Sequence, residues 1–196
     1  IKIISRSVGR SAISASAYRS GTKLYDQETG DLSDYSRKQG ILHHEVILCE
    51  NAPSAYADRE VLWNAVQKIE SQKNAQLARE VEIAIPKEIP TEDRIALVRE
   101  YVQENFVSQG MCADFALHDK GDGNPHAHIL LTTRPILKNG KWGQKEKKDY
   151  ARDADGNKIP VIDPATGQQK VRVRKGKGTE KLWQRVTVQT NDWNDQ

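Results

Sequence analysis

The stretch Phe115-Ala-Leu-His118-Asp-Lys-Gly-Asp-Gly-Asn-Pro-His126-Ala-His128-Ile-Leu-Leu131 decides the fold, and the rest of the chain can be interpreted around it. An apolar run at each end flanks a Lys-Gly-Asp-Gly-Asn-Pro turn, a pattern that predicts a β-hairpin with an irregular loop. Three of the five histidines of the chain lie within it. Side chains of a strand alternate between its two faces, so His126 and His128 share one face. His118 ends the preceding strand, close enough to converge on that face.

Three imidazoles on one face of two paired strands predict a metal site. Neutral imidazoles supply nitrogen ligands, and a set of three leaves coordination positions open for water or substrate oxygens. A single histidine in a strand is more often a surface residue or a hydrogen-bonded core residue. Three histidines beside a glycine-rich turn favour a metal site over these structural roles. Zinc, manganese, nickel or cobalt would suit such ligands.

A second candidate group lies on a short helix near the N-terminus. Ser11 is a suitable N-cap, Ala12–Arg19 is rich in alanine, and Gly21 is a typical helix stop. The small side chains predict close packing against a neighbouring element, which leaves Tyr18 as the only large group that the helix offers. Tyr18 is therefore the leading candidate for a nucleophile. On this pattern alone, an aromatic side chain packed beneath the sheet is an equally good interpretation.

The polar segment from Thr22 to Gly40 contains two rival tyrosines, Tyr25 and Tyr35. Each is expected in a loop, without a rigid element to aim its side chain. Base stacking or DNA contact suits them better than catalysis, and simple surface placement suits them at least as well.

A predicted strand over Leu77–Pro86 adds two carboxylates. Glu80 and Glu82 alternate with aliphatic residues, so both lie on one face of this strand. If the helices cover the aliphatic face, the glutamates lie on the open face together with the histidines. One glutamate there would mean little. Two of them beside three histidines are suited to orienting an imidazole or to moving a phenol proton.

Several of these segments resemble one known family, the MobA/MobL relaxases of mobilisable and conjugative plasmids, which are HUH endonucleases. The segments that carry the resemblance are residues 9–21, 34–38, 77–86 and 123–128. The resemblance covers approximately residues 1–145 and is poor beyond Tyr150.

The resemblance implies site- and strand-specific nicking and rejoining of DNA at a plasmid origin of transfer, the reaction that initiates conjugative transfer or mobilisation. It implies that Tyr18 is the nucleophile of a 5′-phosphotyrosine intermediate. It further implies that His118, His126 and His128 hold a divalent metal. The metal that such enzymes use is manganese or magnesium. An acidic residue lies near the metal in the family, and Glu82 is favoured over Glu80 for that position.

The predicted elements follow the order β, α, β, α, β, α, β, β, which favours an α+β fold. We expect a five-stranded, mainly antiparallel sheet with two long helices, over 57–73 and 91–110, on one face. This arrangement matches the HUH palm that the resemblance implies. Residues 1–135 would form this relaxase core.

Residues 136–196 are expected to form a basic C-terminal extension, a polar lid of the same domain that covers the DNA. Clusters of turn residues separate its polar segments. We predict a hairpin between 158–162 and 170–174, followed by a short helix over 179–193.

The composition suits one globular domain with a polar extension: 196 residues, 29% of them charged, 37% hydrophobic and a mean hydropathy of −0.74. No apolar run approaches the length of a membrane span, and no signal peptide is visible. Cys49 and Cys112 lack metal-ligand spacing, so we interpret them as reduced core thiols of a cytoplasmic protein, and the resemblance implies a bacterial one. The start at Ile1 and the polar tail suggest a monomeric domain of a longer protein.

Charge alone argues weakly for nucleic acid, because the net charge is +3 and the pI about 8.8. Six cationic side chains lie near the candidate site or in the basic segment that follows it, and we expect them to bind DNA phosphates. They are Arg6, Arg10, Arg19, Arg37, Lys141 and Lys145. Simple exposure to solvent would explain these charges equally well. The partners that the resemblance implies are single-stranded DNA at the transfer origin and the accessory relaxosome and coupling proteins.

Two other functions compete with nicking through a tyrosine. A metal-dependent phosphoesterase would attack with water, form no covalent intermediate and have no need of Tyr18. A non-catalytic single-stranded nucleic-acid binding module would present aromatic side chains on the open face of its sheet, where this chain has histidine and glutamate.

Overall fold

A five-stranded antiparallel sheet organises the first of two units in the computed structural model, which describes residues 1–176 and 178–191. The first unit is Ile1–Gly143 and the second Gln144–Gln196. The elements of the first unit are β1 (Lys2–Ser5), α1 (Ala12–Ser20), β2 (Lys23–Tyr25), β3 (Leu32–Asp34), β4 (Ile41–Ile47), α2 (Arg59–Ile69), β5 (Gln76–Ala84), α3 (Thr91–Asn105), β6 (Ala113–His118) and β7 (His126–Leu131). The sheet order is β1-β5-β7-β6-β4, with antiparallel neighbours throughout. The predicted α+β fold is confirmed.

The predicted hairpin forms the middle of this sheet. β6 pairs with β7 so that His118 lies opposite His126, and His128 follows on the same face. Phe115 and Ile129 lie opposite each other on the other face, where neither is exposed to solvent. A slip of β7 by one residue would turn His126 and His128 towards the apolar face and Ile129 away from it, so this burial fixes the register.

Helices cover both faces of the sheet. α2 lies on the histidine face, where Trp63 Nε1 donates to Asp114 Oδ2 over 2.8 Å. α3 lies on the other face, where Arg99 Nε donates to Glu45 Oε1 over 2.7 Å and Glu45 pairs with Phe115. This placement differs from the prediction that both long helices share one face. β6 is buried along its whole length, so each of its sides needs a covering layer.

α1 begins and ends where the sequence predicts. Ser11 Oγ accepts a hydrogen bond from the Ser14 backbone N–H over 3.3 Å, and Gly21 ends the helix with a φ of +63°. A Cβ at Gly21 would lie 2.3 Å from Ile41 Cδ1, so both the backbone and the space favour glycine. α2 and α3 are shorter than predicted, since α2 ends at Ile69 and a short 3-10 turn over Val107–Gln109 follows the end of α3 at Asn105. Within residues 1–176 and 178–191, no helix is long and apolar enough to cross a membrane.

Two short strands lie in the segment that was expected to be a loop. β2 pairs with β3 in a register that runs from Lys23 opposite Asp34 to Tyr25 opposite Leu32. Tyr25 therefore ends a strand, and Tyr35 directly follows one. Strands of three residues are too short to show an alternation of period two in the sequence.

The two cysteines are free and buried, as predicted. Cys49 Sγ lies 3.7 Å from Cys112 Sγ.

The regular elements of the second unit are β-strands within the residues that the structure describes. They are β8 (Glu146–Tyr150), β9 (Val171–Arg174), β10 (Gly178–Lys181) and β11 (Arg185–Gln189), with β8 paired to β11 and β9 to β10. The helix predicted over 179–193 is wrong for its described residues, because Val186 and Val188 alternate with polar side chains as in a strand. Trp193, its last residue, lies outside the described part of the chain.

The predicted hairpin of the second unit forms only one bridge, Ile162 with Gln169, since β9 pairs with β10 instead. The first unit runs to Gly143, and the division into a relaxase core over 1–135 and an extension over 136–196 stays a prediction. Arg134 Nη1 donates to the Gly143 carbonyl over 2.8 Å and its Nε donates to Glu70 Oε1 over 2.9 Å, which connects the segment after β7 to the end of α2. That 136–196 covers DNA as a lid stays a prediction.

Candidate active site

The structure brings the three predicted histidines together on one face of the hairpin. The ring centroids lie 4.9 Å apart for His118 and His128, 5.1 Å for His126 and His128, and 5.4 Å for His118 and His126. One nitrogen from each ring lies within 4.8 Å of the others. His118 is buried and the other two are half-buried, so the cluster has access to solvent.

Hydrogen bonds fix the proton on two of the rings. His118 Nε2 lies 2.6 Å from the Arg19 carbonyl oxygen, and His126 Nδ1 lies 2.8 Å from the Asn124 carbonyl oxygen. A carbonyl oxygen only accepts, so both ring nitrogens are the N–H donors. Each neutral ring keeps a lone pair on its other nitrogen, which is what a metal ligand requires.

Glu80 orients the third ring. His128 Nδ1 donates to Glu80 Oε1 over 2.8 Å, so the lone pair of this ring is on Nε2. Burial alone would raise the pKa of Glu80, but hydrogen bonds from His128 and Arg19 outweigh burial and lower it to about 2. The carboxylate is therefore ionised at neutral pH, and an ionised acceptor makes the imidazole a stronger ligand.

Glu82, the favoured acidic residue, lies at the edge of this arrangement. Its Oε2 is 3.9 Å from His128 Nδ1 and accepts a hydrogen bond from Lys2 Nζ over 2.8 Å. Glu80, rather than Glu82, makes the direct hydrogen bond to a histidine. Alternation places both carboxylates on one face, and no signal in the sequence tells which of them is buried.

Burial also sets the protonation of His118. It lowers the pKa of this ring to about 4, although the hydrogen bond to the Arg19 carbonyl acts in the opposite direction. His118 is therefore neutral at physiological pH, which is the form that binds a metal.

Tyr18 is presented by a helix that is fixed to the sheet. Ser16 and Ala17 on the inner side of α1 are 1% and 0% exposed, whereas Tyr18 is 49% exposed. Ser16 Oγ donates to Asp114 Oδ2 on β6 over 2.5 Å. This exposure rules out the alternative in which Tyr18 packs beneath the sheet.

Two side chains contact the Tyr18 ring. Tyr35 meets it edge to face, with the ring centroids 5.2 Å apart. Lys38 Nζ lies 3.8 Å from the centroid of the Tyr18 ring and donates to the Tyr18 carbonyl oxygen over 2.7 Å. Burial, reinforced by Arg19 and Lys120, lowers the pKa of Lys38.

Two grooves share Tyr18 and Tyr35. The first has a volume of about 640 Å³, and the charged and aromatic side chains in its lining are Lys2, Arg10, Tyr18, Arg19, Tyr35, Glu80 and His128. The second has a volume of about 770 Å³ and includes Tyr18, Tyr35, Lys38, Asp119 and Lys120. Because cations line both grooves, the surface is suited to an extended polyanion that passes over Tyr18.

Among the cations predicted to contact DNA, Arg10 and Arg19 line a groove that contains Tyr18. Arg37 and Lys141 are exposed on the first unit, and Lys145 belongs to the second unit. These three positions neither support nor contradict a role in binding.

Arg6 and Arg19 are held by other groups of the protein. Arg6 contacts the Glu28 carboxylate with both terminal nitrogens, and its Nε donates to the Glu70 carbonyl over 2.7 Å. Arg19 Nε and Nη2 donate to the two oxygens of Glu80 over 2.6 and 2.5 Å. Neither guanidinium is available for a phosphate without breaking these contacts.

Three cations that line the grooves were missed by sequence reasoning. Lys2 reaches the first groove because β1 pairs with β5, and Lys38 and Lys120 reach the second because their two loops meet near Gly40. Such encounters depend on tertiary pairing, which local patterns do not report. For Lys38 there was one signal, since it belongs to the segment 34–38 that resembles the family.

Comparison with known proteins decides the family. The sequence model of the MobA/MobL family matches residues 10–196. The chain belongs to the MobA/MobL family. One relative is a probable mobilization protein MobA of Bifidobacterium longum, 37% identical over 96% of this chain and 33% of the relative. Another is a conjugal transfer protein TraA of Agrobacterium fabrum, 36% identical over 98% of this chain and 17% of the relative.

A solved structure supports the same assignment for the MobA/MobL chain. It is described as the molecular basis of vancomycin resistance transfer in Staphylococcus aureus, and it matches with a TM-score of 0.71 and 37% identity over 74% of each chain. The family predicted from the sequence is confirmed. The chain spans a third or less of the two curated relatives named above, so it corresponds to one part of such proteins.

Proposed function

We propose that this MobA/MobL chain nicks and rejoins DNA at a plasmid origin of transfer, with Tyr18 as the nucleophile, and thereby initiates conjugative transfer or mobilisation. The observation that carries the proposal is that Tyr18 and His128 line one groove, together with cations. The names of the relatives refer to mobilization and conjugal transfer, which supports the biological process.

His118, His126 and His128 would hold a divalent metal, manganese or magnesium, although zinc, nickel or cobalt would also suit these ligands. The fit is supported by the proximity of their ring nitrogens and by the acceptor that binds the proton of each ring. When bound, the metal would stabilise the negative charge that develops on the phosphate oxygens during the reaction. Glu80 keeps His128 in the orientation and tautomer that this requires.

The covalent step is a transesterification at phosphorus. The Tyr18 oxygen forms a bond to phosphorus while the bond from phosphorus to the 3′ oxygen breaks. The phenol loses its proton and the departing 3′ oxygen gains one, so the products are a 5′-phosphotyrosine and a free 3′-hydroxyl. One phosphoester replaces another, so the 3′-hydroxyl can reverse the step and rejoin the strand.

The phenol proton needs an acceptor, and Glu82 is the proposed one. A hydrogen bond from Lys2 lowers the pKa of Glu82, so this carboxylate is ionised at neutral pH. It lies near His128, with 3.9 Å between Glu82 Oε2 and His128 Nδ1. Glu80 is less suited to this task, because Arg19 and His128 occupy both of its oxygens.

Single-stranded DNA would lie along both grooves and cross Tyr18 between them. Lys2 and Arg10 would contact phosphates in the first groove, and Lys38 and Lys120 would contact them in the second. Accessory relaxosome and coupling proteins are proposed as partners in the bacterial cytoplasm. Residues 136–196 are proposed as the lid over the DNA.

The direct test is covalent capture of DNA. The protein would be incubated with labelled single-stranded oligonucleotides from candidate transfer origins, with Mn²⁺ or with EDTA, and resolved on a denaturing gel. We expect a Mn²⁺-dependent protein–DNA adduct that Tyr18→Phe abolishes. Tyr35→Phe is the matched control, because Tyr35 lines the same grooves, and this variant should keep the adduct.

The competing functions predict other results. A phosphoesterase would cleave the oligonucleotide without an adduct and would be unaffected by Tyr18→Phe, and that outcome would refute the tyrosine mechanism. A non-catalytic binding module would bind all the oligonucleotides tightly and cleave none of them, with or without Mn²⁺.

A further inference from the structure

We propose that Arg19 is a positioning residue that fixes two of the three imidazoles relative to the helix that carries Tyr18. This inference rests on the proposed function, because it assigns a device that aligns the nucleophile with the metal site. It replaces the phosphate-binding role that the sequence suggested for Arg19.

The Arg19 side chain forms one half of the link. Its Nε and Nη2 donate to the two oxygens of Glu80 over 2.6 and 2.5 Å, and its Nη1 donates to the Ala15 carbonyl over 2.8 Å. Glu80 in turn accepts a hydrogen bond from His128 Nδ1 over 2.8 Å. The last turn of α1 is therefore connected to β5, and through Glu80 to His128 on β7.

The Arg19 backbone forms the other half. Its carbonyl oxygen accepts a hydrogen bond from His118 Nε2 over 2.6 Å. His118 ends β6 and His128 lies on β7. Arg19 therefore contacts the imidazole on one strand of the hairpin directly and the imidazole on the other strand through Glu80. Because Arg19 directly follows Tyr18, a shift of α1 relative to the sheet would move the phenol and disturb both rings.

The chemistry of this link favours arginine. A guanidinium presents two parallel N–H groups that match the two oxygens of a carboxylate, whereas the ammonium group of lysine binds as a single point. Glu80 is 1% exposed and the Arg19 side chain 17% exposed, so the pair is largely removed from water. Without the guanidinium, the carboxylate would be buried with an unsatisfied oxygen and would hold His128 less firmly.

The test compares Arg19→Gln and Arg19→Lys with Arg10→Gln. Arg10 lines the same groove but donates to a backbone carbonyl, that of Ile3, instead of a carboxylate, which makes it the matched control. The first readout is the affinity for Mn²⁺ in the absence of DNA, measured by calorimetry. The second readouts are the affinity for the oligonucleotide and the rate of adduct formation. Thermal unfolding shows that each variant is folded.

We expect Arg19→Gln to weaken Mn²⁺ binding about 10- to 100-fold, as for other residues that orient a metal ligand. The rate of adduct formation should fall at saturating oligonucleotide, whereas oligonucleotide affinity should change little. Arg19→Lys should lie between wild type and Arg19→Gln. Arg10→Gln should show the reverse pattern, with weaker DNA binding and unchanged Mn²⁺ affinity.

Unchanged Mn²⁺ affinity in Arg19→Gln, combined with weaker oligonucleotide binding, would overturn the inference and restore the phosphate-binding role. If Arg19→Gln does not fold, the Mn²⁺ affinity and the oligonucleotide affinity of Arg19→Lys distinguish the positioning role from the phosphate-binding role instead. The proposed function fails on a separate result, the absence of any adduct from the wild-type protein. A double variant gives a further check, since Arg19→Gln should add little to the Mn²⁺ loss that Glu80→Gln already causes.

Discussion

Single residues determine what the histidine cluster can bind, because the acceptor beside each ring fixes the nitrogen that carries its proton. For His128 this acceptor is Glu80, buried and ionised, whereas Glu82 on the same face is exposed. Glu80→Gln should therefore weaken Mn²⁺ binding about 10- to 100-fold. Glu82→Gln, the matched control, should leave it nearly unchanged. Calorimetry without DNA measures both, and equal losses in the two variants would contradict the assignment.

The titration of His118 predicts the pH dependence of stability in the metal-free protein. Its pKa is about 4 in the folded state and 6.5 in the ordinary, unfolded state. Between these two pH values the unfolded chain binds more protons than the folded protein does. The contribution of His118 to the free energy of unfolding is therefore complete above about pH 6.5 and is lost as the pH falls towards 4. The melting temperature in EDTA should decrease across that window.

His118→Asn supplies the control for this pH effect. Removing the titrating ring should make the melting temperature depend less steeply on pH between 6.5 and 4. Some slope should persist, because burial together with Arg59 lowers the pKa of His44 in the same direction. A slope equal to that of the wild type would show that His118 is not the responsible group.

At the residue scale, the sequence predicted the histidine cluster because period-two alternation relates His126 to His128 and one turn relates both to His118. It did not distinguish Glu80 from Glu82, because Arg19, which donates hydrogen bonds to Glu80, lies 61 positions away in the chain. Interactions between distant positions leave no periodic signal. The same limitation led to Arg19 being interpreted as a phosphate ligand.

At the scale of elements, the central interaction is the attachment of α1 and α2 to β6 through Asp114. This buried carboxylate accepts hydrogen bonds from Ser16, Arg59 and Trp63. Asp114→Ala leaves all three donors without their partner, so we expect a loss of about 3–5 kcal/mol in the free energy of unfolding. Chemical denaturation measures this loss.

Glu82→Ala is the control for the Asp114 prediction. Its ion pair with Lys2 is exposed, with side chains 43% and 60% accessible, so its removal should lower the free energy of unfolding far less than Asp114→Ala does. Similar losses in Asp114→Ala and Glu82→Ala would mean that the contacts of Asp114 do not anchor the helices.

The long elements were predictable and the short or exposed ones were not. The cap at Ser11 and the stop at Gly21 predicted α1 correctly, because both signals are local. The three-residue strands β2 and β3 are too short to show a period. The helix expected over 179–193 failed because exposed strands such as β11 bury few side chains, so their alternation is weak. The faces covered by α2 and α3 depend on tertiary packing.

At the scale of the first unit, two basic grooves meeting at Tyr18 predict that DNA binding depends on salt. Each phosphate contact to a single strand contributes about −0.7 to the slope of log K against log salt. Lys38→Gln and Lys120→Gln should each make that slope less steep by about this amount. Lys73→Gln, an exposed position outside both grooves, should leave it unchanged. Fluorescence anisotropy at several salt concentrations would show the difference.

The measurement that tests the central claim most directly is mass spectrometry of the protein–DNA adduct after digestion with nuclease and trypsin. Cleavage after arginine and lysine places Tyr18 in the peptide Ser11–Arg19, and Tyr25 and Tyr35 together in Leu24–Arg37. We predict a nucleotide linked to Tyr18 in the first peptide, formed only when a divalent metal is present. A nucleotide on Leu24–Arg37, or an equal yield in EDTA, would contradict a metal-assisted attack by Tyr18.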